Sequence, residues 1–222
     1  MGLPDIVYTV REGDKNEELR YSLRSLVNLP HRKVWIAGHK PKWLHHIGHV
    51  PTVQGNRKWL NAINNVRAAV GAPEVSDTFV LFNDDFFVTH PIETVPVLHH
   101  GLVRDLDAAD PDTKGEYGRR MRDTLDYCGP EALAYDQHHV PMSFDKHKLS
   151  EVLDDIGDEM LFRTVYGNTF KVGGVWHPNT KIGMRDKDVP PPFVSTGDSS
   201  FRRAQVGQRL RAMFPVPSRY EI

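Results

Sequence analysis

Phe79-Val-Leu-Phe-Asn-Asp-Asp-Phe-Phe87 holds the sharpest change of character in the chain. An apolar β-type run, Phe79 to Phe82, breaks at Asn83, Asp84 and Asp85, and apolar residues resume at once. Two adjacent carboxylates at the end of a buried strand repel each other and cost desolvation energy. Such a pair persists when something positive sits on it. A hard divalent cation, Mg²⁺ or Mn²⁺, takes one or two carboxylates together with substrate phosphates. The carboxyl ends of strands are also where open α/β sheets bind ligands. The stretch therefore predicts a metal–diphosphate site, with Asp84 and Asp85 as metal ligands and Asn83 beside them. The competing reading is a strand-to-turn boundary, with Asn and Asp present for turn chemistry.

Working outward, Asp5-Ile-Val-Tyr-Thr-Val10 reads as a buried strand, followed by the polar turn Arg11-Glu-Gly-Asp-Lys15. Asn16 can cap a helix whose first turn holds Glu17 and Glu18. Leu19, Leu23, Leu26 and Val27 give that helix one apolar face, and Pro30 closes it. Lys33 to Ala37 is a second strand ending at Gly38. Asn56 to Val70 is helical, with Leu60, Ile63 and Val66 or Arg67 along one side, stopped by Gly71 and Pro73. The order β-α-β-α-β predicts an α/β fold with a mostly parallel sheet flanked by helices.

After Pro91 the pattern weakens. Residues 99–135 are polar, with an Ala-Ala-Asp-Pro-Asp turn near residue 110 and Arg119, Arg120 and Arg122 clustered on a helix. Lys146 to Ile156 is an amphipathic helix with Leu149, Val152, Leu153 and Ile156 on one face. Gly173-Gly174 and Pro190-Pro-Pro192 mark loops. The tail from Phe201 carries Arg202, Arg203, Arg209, Arg211 and Arg219. The expectation is one domain with a helical insertion. Residues 1–98 form its nucleotide- and metal-binding half and residues 99–222 its acceptor side.

The chain has 222 residues, 39% of them hydrophobic and 26% charged, as in ordinary globular proteins. A net charge of −1 provides no global basic field for bulk nucleic-acid binding, although local basic patches remain. One cysteine, Cys128, excludes an internal disulfide and fits a reducing, cytoplasmic setting. No apolar run reaches membrane-spanning length, and the N-terminus lacks the plan of a signal peptide.

Further candidates follow from position. Tyr8 and Thr9 lead into the loop that would lie beside the Phe79 strand, where a nucleotide base and ribose can be held; the alternative is an ordinary βα loop. Asn56, Arg57 and Lys58 open a helix whose free N–H groups attract a diphosphate; the alternative is a solvated cap. His139 precedes a helix and can serve as base toward an acceptor hydroxyl, against a structural role. Arg163 can neutralise charge on phosphate, against a surface or interface role. Asp198 ends a short β-type run, as a second metal ligand or base-orienting group, against a helix N-cap.

Taken in order, these blocks resemble the Stealth-type sugar-phosphate transferases, which include capsule polysaccharide phosphotransferases and the N-acetylglucosamine-1-phosphotransferase of the lysosomal pathway. The resemblance lies in Asp5-Ile-Val-Tyr-Thr9, Glu18-Leu-Arg-Tyr-Ser-Leu-Arg-Ser-Leu26, Val34-Trp-Ile-Ala-Gly-His-Lys-Pro-Lys-Trp-Leu44 and Phe82-Asn-Asp-Asp-Phe-Phe87. It continues through His139-Val-Pro-Met-Ser-Phe-Asp145, Phe162-Arg163 and Phe193-Val-Ser-Thr-Gly-Asp198. It implies a glycosyltransferase-A-type domain with Mg²⁺ or Mn²⁺ at Asp84 and Asp85, and His139, Arg163 and Asp198 in the active site. The chain departs from the family at Val10-Arg-Glu-Gly-Asp-Lys15, where Trp-Val-Asp-Gly-Ser-Asp is usual, and at Gly197, where Asn is usual. Its short form resembles bacteriophage enzymes.

The expected activity is metal-dependent transfer of a sugar or sugar-1-phosphate from a nucleotide-diphospho-sugar, with a UDP-sugar first in line, to a hydroxyl acceptor such as a glycan. One alternative is a phage glycosyltransferase acting on hydroxymethylated pyrimidines in DNA, with the basic stretches tracking phosphates. Another, suggested by the altered first block, is a non-catalytic nucleotide-sugar binder.

Overall fold

The computed structural model describes residues 2–13, 15–109 and 115–222. Asp14 of the first polar turn and the Asp-Pro-Asp part of the expected turn near residue 110 lie outside the described residues. The first half of the chain runs β1 (Asp5–Val10), α1 (Glu17–Ser25), β2 (Val34–Gly38), β3 (Gly48–Val50), α2 (Lys58–Gly71), β4 (Thr78–Asn83) and β5 (Phe86–Val88). Then come β6 (Leu98–His99), α3 (Val103–Ala109), α4 (Gly115–Cys128), β7 (Met142–Asp145) and α5 (Lys146–Ile156). The last elements are α6 (Phe162–Thr169), β8 (Val175–Trp176), β9 (Phe193–Ser195), α7 (Asp198–Arg203) and α8 (Gln205–Met213). They divide into two compact units: Met1–Val95, His139–Lys146 and Thr180–Ile222 in one, and Pro96–His138 with His147–Asn179 in the other.

The first unit is built on a five-stranded sheet of order β3-β2-β1-β4-β7. β1, β2, β3 and β4 pair in parallel, and β7 closes one edge antiparallel to β4. Strands covered on both faces need apolar residues at consecutive positions. β1 and β2 meet that need: Ile6, Val7, Tyr8, Val34, Ile36 and Ala37 are all buried. Asp5 breaks the apolar rule and is still fully buried, because Arg32 Nε (2.8 Å), Trp35 Nε1 (2.9 Å) and the Ser76 N–H (3.0 Å) all donate to its carboxylate.

α1 buries Leu19 and Leu23, and Leu26 follows them into the core. Val27, expected on the same face, is 81% exposed. The helix ends at Ser25 and tightens into a 3₁₀ turn over Leu26–Asn28, so the helical spacing that placed Val27 inside no longer applies. Asn16 occupies the cap position in a left-handed conformation, but its side-chain amide donates to the Arg11 carbonyl rather than capping the helix. α2 starts at Lys58, two residues later than expected, and buries Ile63, Val66, Ala69 and Val70.

β5 and β9 form an antiparallel ribbon that pairs Phe86 with Ser195 and Val88 with Phe193. Behind it, Phe87 stacks on Phe201 at 5.7 Å, and Val194, Val206 and Leu210 complete that part of the core. This ribbon brings residues 195–198 to the end of β4.

The second unit packs Val103, Met121, Ala132, Ala134 and Leu161 together and carries the short parallel pair β6–β8. α5 has the expected limits, with Leu149, Val152, Leu153 and Ile156 buried. Among the described residues, no helix is long and apolar enough to cross a membrane.

Candidate functional site

β1 lies between β2 and β4, so the chain leaves β1 toward one side of the sheet and later returns on the other. A crevice forms at such a reversal, outside the carboxyl ends of the two strands. Thr9 and Asn83 are register partners there, and Thr9 Oγ1 lies 3.4 Å from Asn83 Oδ1. Just beyond them a cleft of about 370 Å³ is lined by Arg11 after β1, by Asp84 and Asp85 after β4, and by Glu18, Lys181 and Asp198. A second hollow of about 700 Å³ shares Arg11, Glu18, Lys58, Asp84 and Asp198 and extends over Gln54, Gly55 and Asn56.

Four carboxylates and two paired cations set the electrostatics. Arg11 Nη2 donates to both Asp198 oxygens at 2.8 Å. That bond to Arg11 holds the Asp198 carboxyl below the usual range. Lys181 Nζ donates to Asp85 Oδ2 and to the Thr196 carbonyl, and Ser195 Oγ donates to the same Asp85 oxygen at 3.1 Å. Among the described residues no cation forms an ion pair with Asp84, although the charge of Arg11 lowers its carboxyl from a distance. Burial first, then the adjacent Asp85 carboxylate, push it up to about 7. Glu18 accepts from Thr196 Oγ1 at 2.5 Å. Its carboxyl is raised, by burial first and then by the surrounding acids.

α2 contributes a polar stripe to the cleft: Lys58, Asn61, Ala62 and Asn65 all line it. The spacing is one helical face. Asn61 clamps Gly55 through both backbone groups, at 2.8 Å each. Asn65 Oδ1 accepts from Thr52 Oγ1 at 2.5 Å and from Gln54 Nε2 at 3.0 Å. The two amides thus fix the loop that carries Gln54 to Asn56 against the helix start.

The structure gathers Thr9, Lys58, Asn83, Asp84, Asp85 and Asp198 into the cleft and Asn56 into the adjoining hollow. Tyr8 points the other way: it is 0% exposed, and its hydroxyl bonds Ser22 Oγ at 2.9 Å. Arg57 is the exposed N-cap residue of α2. His139 has a left-handed backbone, and its carbonyl accepts from Thr180 Oγ1 at 2.7 Å. Arg163 belongs to the second unit, buried on α6, where its charge lowers the carboxyl of Asp136 against the effect of burial. Asp198 is the first residue of α7, so it lies at a helix start and in the cleft together.

Sequence reasoning missed Arg11, Glu18, Asn61, Asn65 and Lys181. The Lys58–Asn61–Asn65 stripe was visible as polar residues at helical spacing. Glu18 looked like an ordinary first-turn acid, and no local signal marks Lys181. Of the basic stretches, Arg119 pairs with Asp123 (3.1 Å) and Glu159 (2.7 Å), and Arg122 with Asp107 (3.2 Å). Arg120 is buried and donates to the Met160 carbonyl at 2.7 Å, while Arg209 pairs with Asp188 and Arg211 donates to the Phe201 carbonyl.

Among the described residues, no group of three or more His, Cys, Asp or Glu side chains forms a ready-made metal cage. The donor set instead fits a cation shared with a ligand. Asp84 and Asp85 offer hard oxygen atoms, and four carboxylates against Arg11, Lys58 and Lys181 leave one formal negative charge when all are ionised. Mg²⁺ and Mn²⁺ bind in this way, through one or two carboxylates plus phosphate oxygens.

No protein-family model matches the chain, and no curated protein sequence matches it. Solved structures do. An active-site mutant of LgtC is similar at 11% identity over 94% of both chains, with a TM-score of 0.56. Galactosyltransferase LgtC in complex with donor and acceptor sugar analogs is similar at 11% identity over 96% of both chains, with a TM-score of 0.52. At that identity the likeness establishes the fold: the chain has the α/β architecture of those glycosyltransferase-A-type structures.

Proposed function

We propose that the protein moves a sugar, or a sugar-1-phosphate, from a nucleotide-diphospho-sugar to a hydroxyl acceptor, with Mg²⁺ or Mn²⁺ at Asp84 and Asp85. The observation that carries this reading is the placement of those two carboxylates in the crevice at the carboxyl end of β4. The shared fold with a galactosyltransferase described with donor and acceptor sugar analogs supports it.

When bound, the cation supplies positive charge to the diphosphate. The chain's own groups do the rest. Asp84 and Asp85 hold the cation, and Lys58 at the start of α2 offers its ammonium and nearby N–H groups to phosphate oxygens. Asn61 and Asn65 keep the Thr52–Asn56 loop in place beside them. The acceptor oxygen forms a bond to the anomeric carbon while the bond from that carbon to the diphosphate breaks, and nucleoside diphosphate leaves. In sugar-1-phosphate transfer the acceptor bonds to phosphorus and nucleoside monophosphate leaves. In both, the hydroxyl proton passes to a base.

His139 is proposed as that base or as the group that orients the acceptor, and Arg163 as a charge-stabilising group, on the resemblance to the Stealth-type transferases. A glycan hydroxyl is the favoured acceptor over a DNA base. Arg119, Arg120, Arg122, Arg209 and Arg211 each engage a partner within the protein, which leaves the exposed Arg202 and Arg203 as the part of these basic stretches best placed to meet phosphates. A reducing setting such as the cytoplasm suits the single cysteine.

The test is a thermal-shift screen of nucleotide sugars with and without Mn²⁺, on wild type and Asp85→Asn. A ligand that prefers the native state raises apparent stability. The expected result is a Mn²⁺-dependent shift with one nucleotide sugar that the variant loses. A screen without any nucleotide-sugar shift would overturn the transferase reading.

A further inference from the structure

We propose that Lys181 competes with a divalent cation for Asp85, and that this competition couples cation binding to diphosphate binding. The diphosphate half of the inference rests on the transferase reading above; the competition for Asp85 stands on the geometry alone.

The Lys181 ammonium already sits on the Asp85 carboxylate, and it also bonds Ser195 Oγ at 3.3 Å and the Thr196 carbonyl. Asp85 is 16% exposed and Lys181 35%, so the pair sits partly shielded at the cleft wall and partly in reach of solvent. Lys181 and Ser195 both bond Asp85 Oδ2, so a metal ion on Asp85 either takes that oxygen from the ammonium or binds Oδ1 beside it and meets its charge. Alone, the cation would force one positive charge off its partner, or crowd it there, while adding two more to the same cleft. A diphosphate changes the balance, because its oxygen atoms can receive the displaced ammonium. Cation and diphosphate then favour each other, by equal factors in both directions.

The chemistry of the two cations in the cleft fits different tasks. Arg11 grips Asp198 with one nitrogen on both oxygens. Lysine carries a point charge on a flexible stem and has no planar fork to keep it in one geometry, so it exchanges partners more easily. Lys181 is 35% exposed and lines the cleft, so its ammonium can turn toward a ligand there.

The test measures Mn²⁺ binding to the full chain by the electron paramagnetic resonance signal of free Mn²⁺. Wild type, Lys181→Met and Lys181→Arg are compared without nucleotide and with saturating UDP. Without nucleotide, Lys181→Met is expected to bind Mn²⁺ about tenfold more tightly than wild type, the scale of one charge-assisted hydrogen bond. Lys181→Arg, which keeps a cation on Asp85, is expected to stay within a few-fold of wild type. UDP is expected to tighten Mn²⁺ binding more in wild type than in Lys181→Met. Should Lys181→Met fail to fold, Lys181→Gln makes the same comparison with a polar side chain.

Equal Mn²⁺ affinity in wild type and the neutral variants without nucleotide would overturn the proposal, as would absence of Mn²⁺ binding. The two readings separate cleanly. If nucleotide sugars bind with Mn²⁺ but the Lys181 variants leave metal affinity unchanged, this inference falls and the transferase reading stands. If the variants tighten Mn²⁺ but nucleotide sugars never bind, the competition stands and the transferase reading falls.

Discussion

Replacing Asp84 by Asn is expected to stabilise the metal-free protein at and above neutral pH, and to change little near pH 4. Burial and Asp85 raise the Asp84 carboxyl from 3.8 to about 7. A rise of about three pH units corresponds to roughly 4 kcal/mol between the two protonation states. The sign follows from proton binding. The folded state holds this proton more tightly than the unfolded state, so the contribution is fully present below about pH 4 and is lost as pH rises through about 7. Above that, the folded protein carries a desolvated carboxylate that the unfolded chain would solvate. Asn keeps the shape and removes the charge. Glu18 shares the same field and can keep its proton while Asp84 is ionised in wild type, which softens the repulsion, so the measured gain should fall to roughly 2–4 kcal/mol. For a chain of this length that is about 5–15 °C in midpoint. The assay is thermal or urea unfolding in EDTA at several pH values from 4.5 to 8, on wild type and Asp84→Asn. The gap between the two should open with pH. Saturating Mn²⁺ at pH 8 should then raise wild type and leave the variant unmoved. Parallel stability curves for the two proteins across that range would refute the account of Asp84 as a desolvated, repelled acid.

Two further substitutions test the frame that holds the site. Asp5→Ala leaves the Trp35 indole N–H and the Ser76 N–H without their acceptor, while Arg32, 51% exposed, turns to water. A cost of about 2 kcal/mol is expected for leaving these donors unsatisfied, read from the urea midpoint; a loss below about 0.5 kcal/mol would contradict it. Gly48→Ala puts a Cβ 2.2 Å from the Trp35 ring, which is itself 5% exposed and cannot swing aside. Overpacking of this kind should lower stability by about 1–3 kcal/mol, and an unchanged melting temperature would show that β3 moves freely on the sheet edge.

The parts of the site that were legible in the sequence share one property: their signal is local. Phe79 to Phe82 gives a buried strand through consecutive apolar residues, and Asp84-Asp85 follows it directly, so strand, strand end and acid pair are read in one stretch. The alternation of such runs with helical spacing fixes a parallel sheet, and the parallel sheet fixes which strand ends face the same way. Tyr8 and Thr9 mark the limit of that logic. Neighbours on a strand point to opposite faces, so only one of them can line the cleft, and Thr9 does so while Tyr8 fills the core. The charge balance of the site was not legible. Asp85 meets Lys181 across 96 residues, Arg11 meets Asp198 across 187, and Glu18 meets Thr196 across 178. Each partner looks ordinary where it stands: a lysine before an isoleucine, an arginine in a polar turn, a glutamate in a first helical turn. What joins them is the β5–β9 ribbon, whose pairing of Phe86 with Ser195 carries the late part of the chain back to the end of β4. The acid pair announces that positive charge is needed; only the fold decides that some of it is already supplied by lysine and arginine. On the reading proposed above, a divalent cation would enter a cleft with its own counter-charges, and that competition, rather than the acids alone, would set how tightly it binds before a diphosphate arrives.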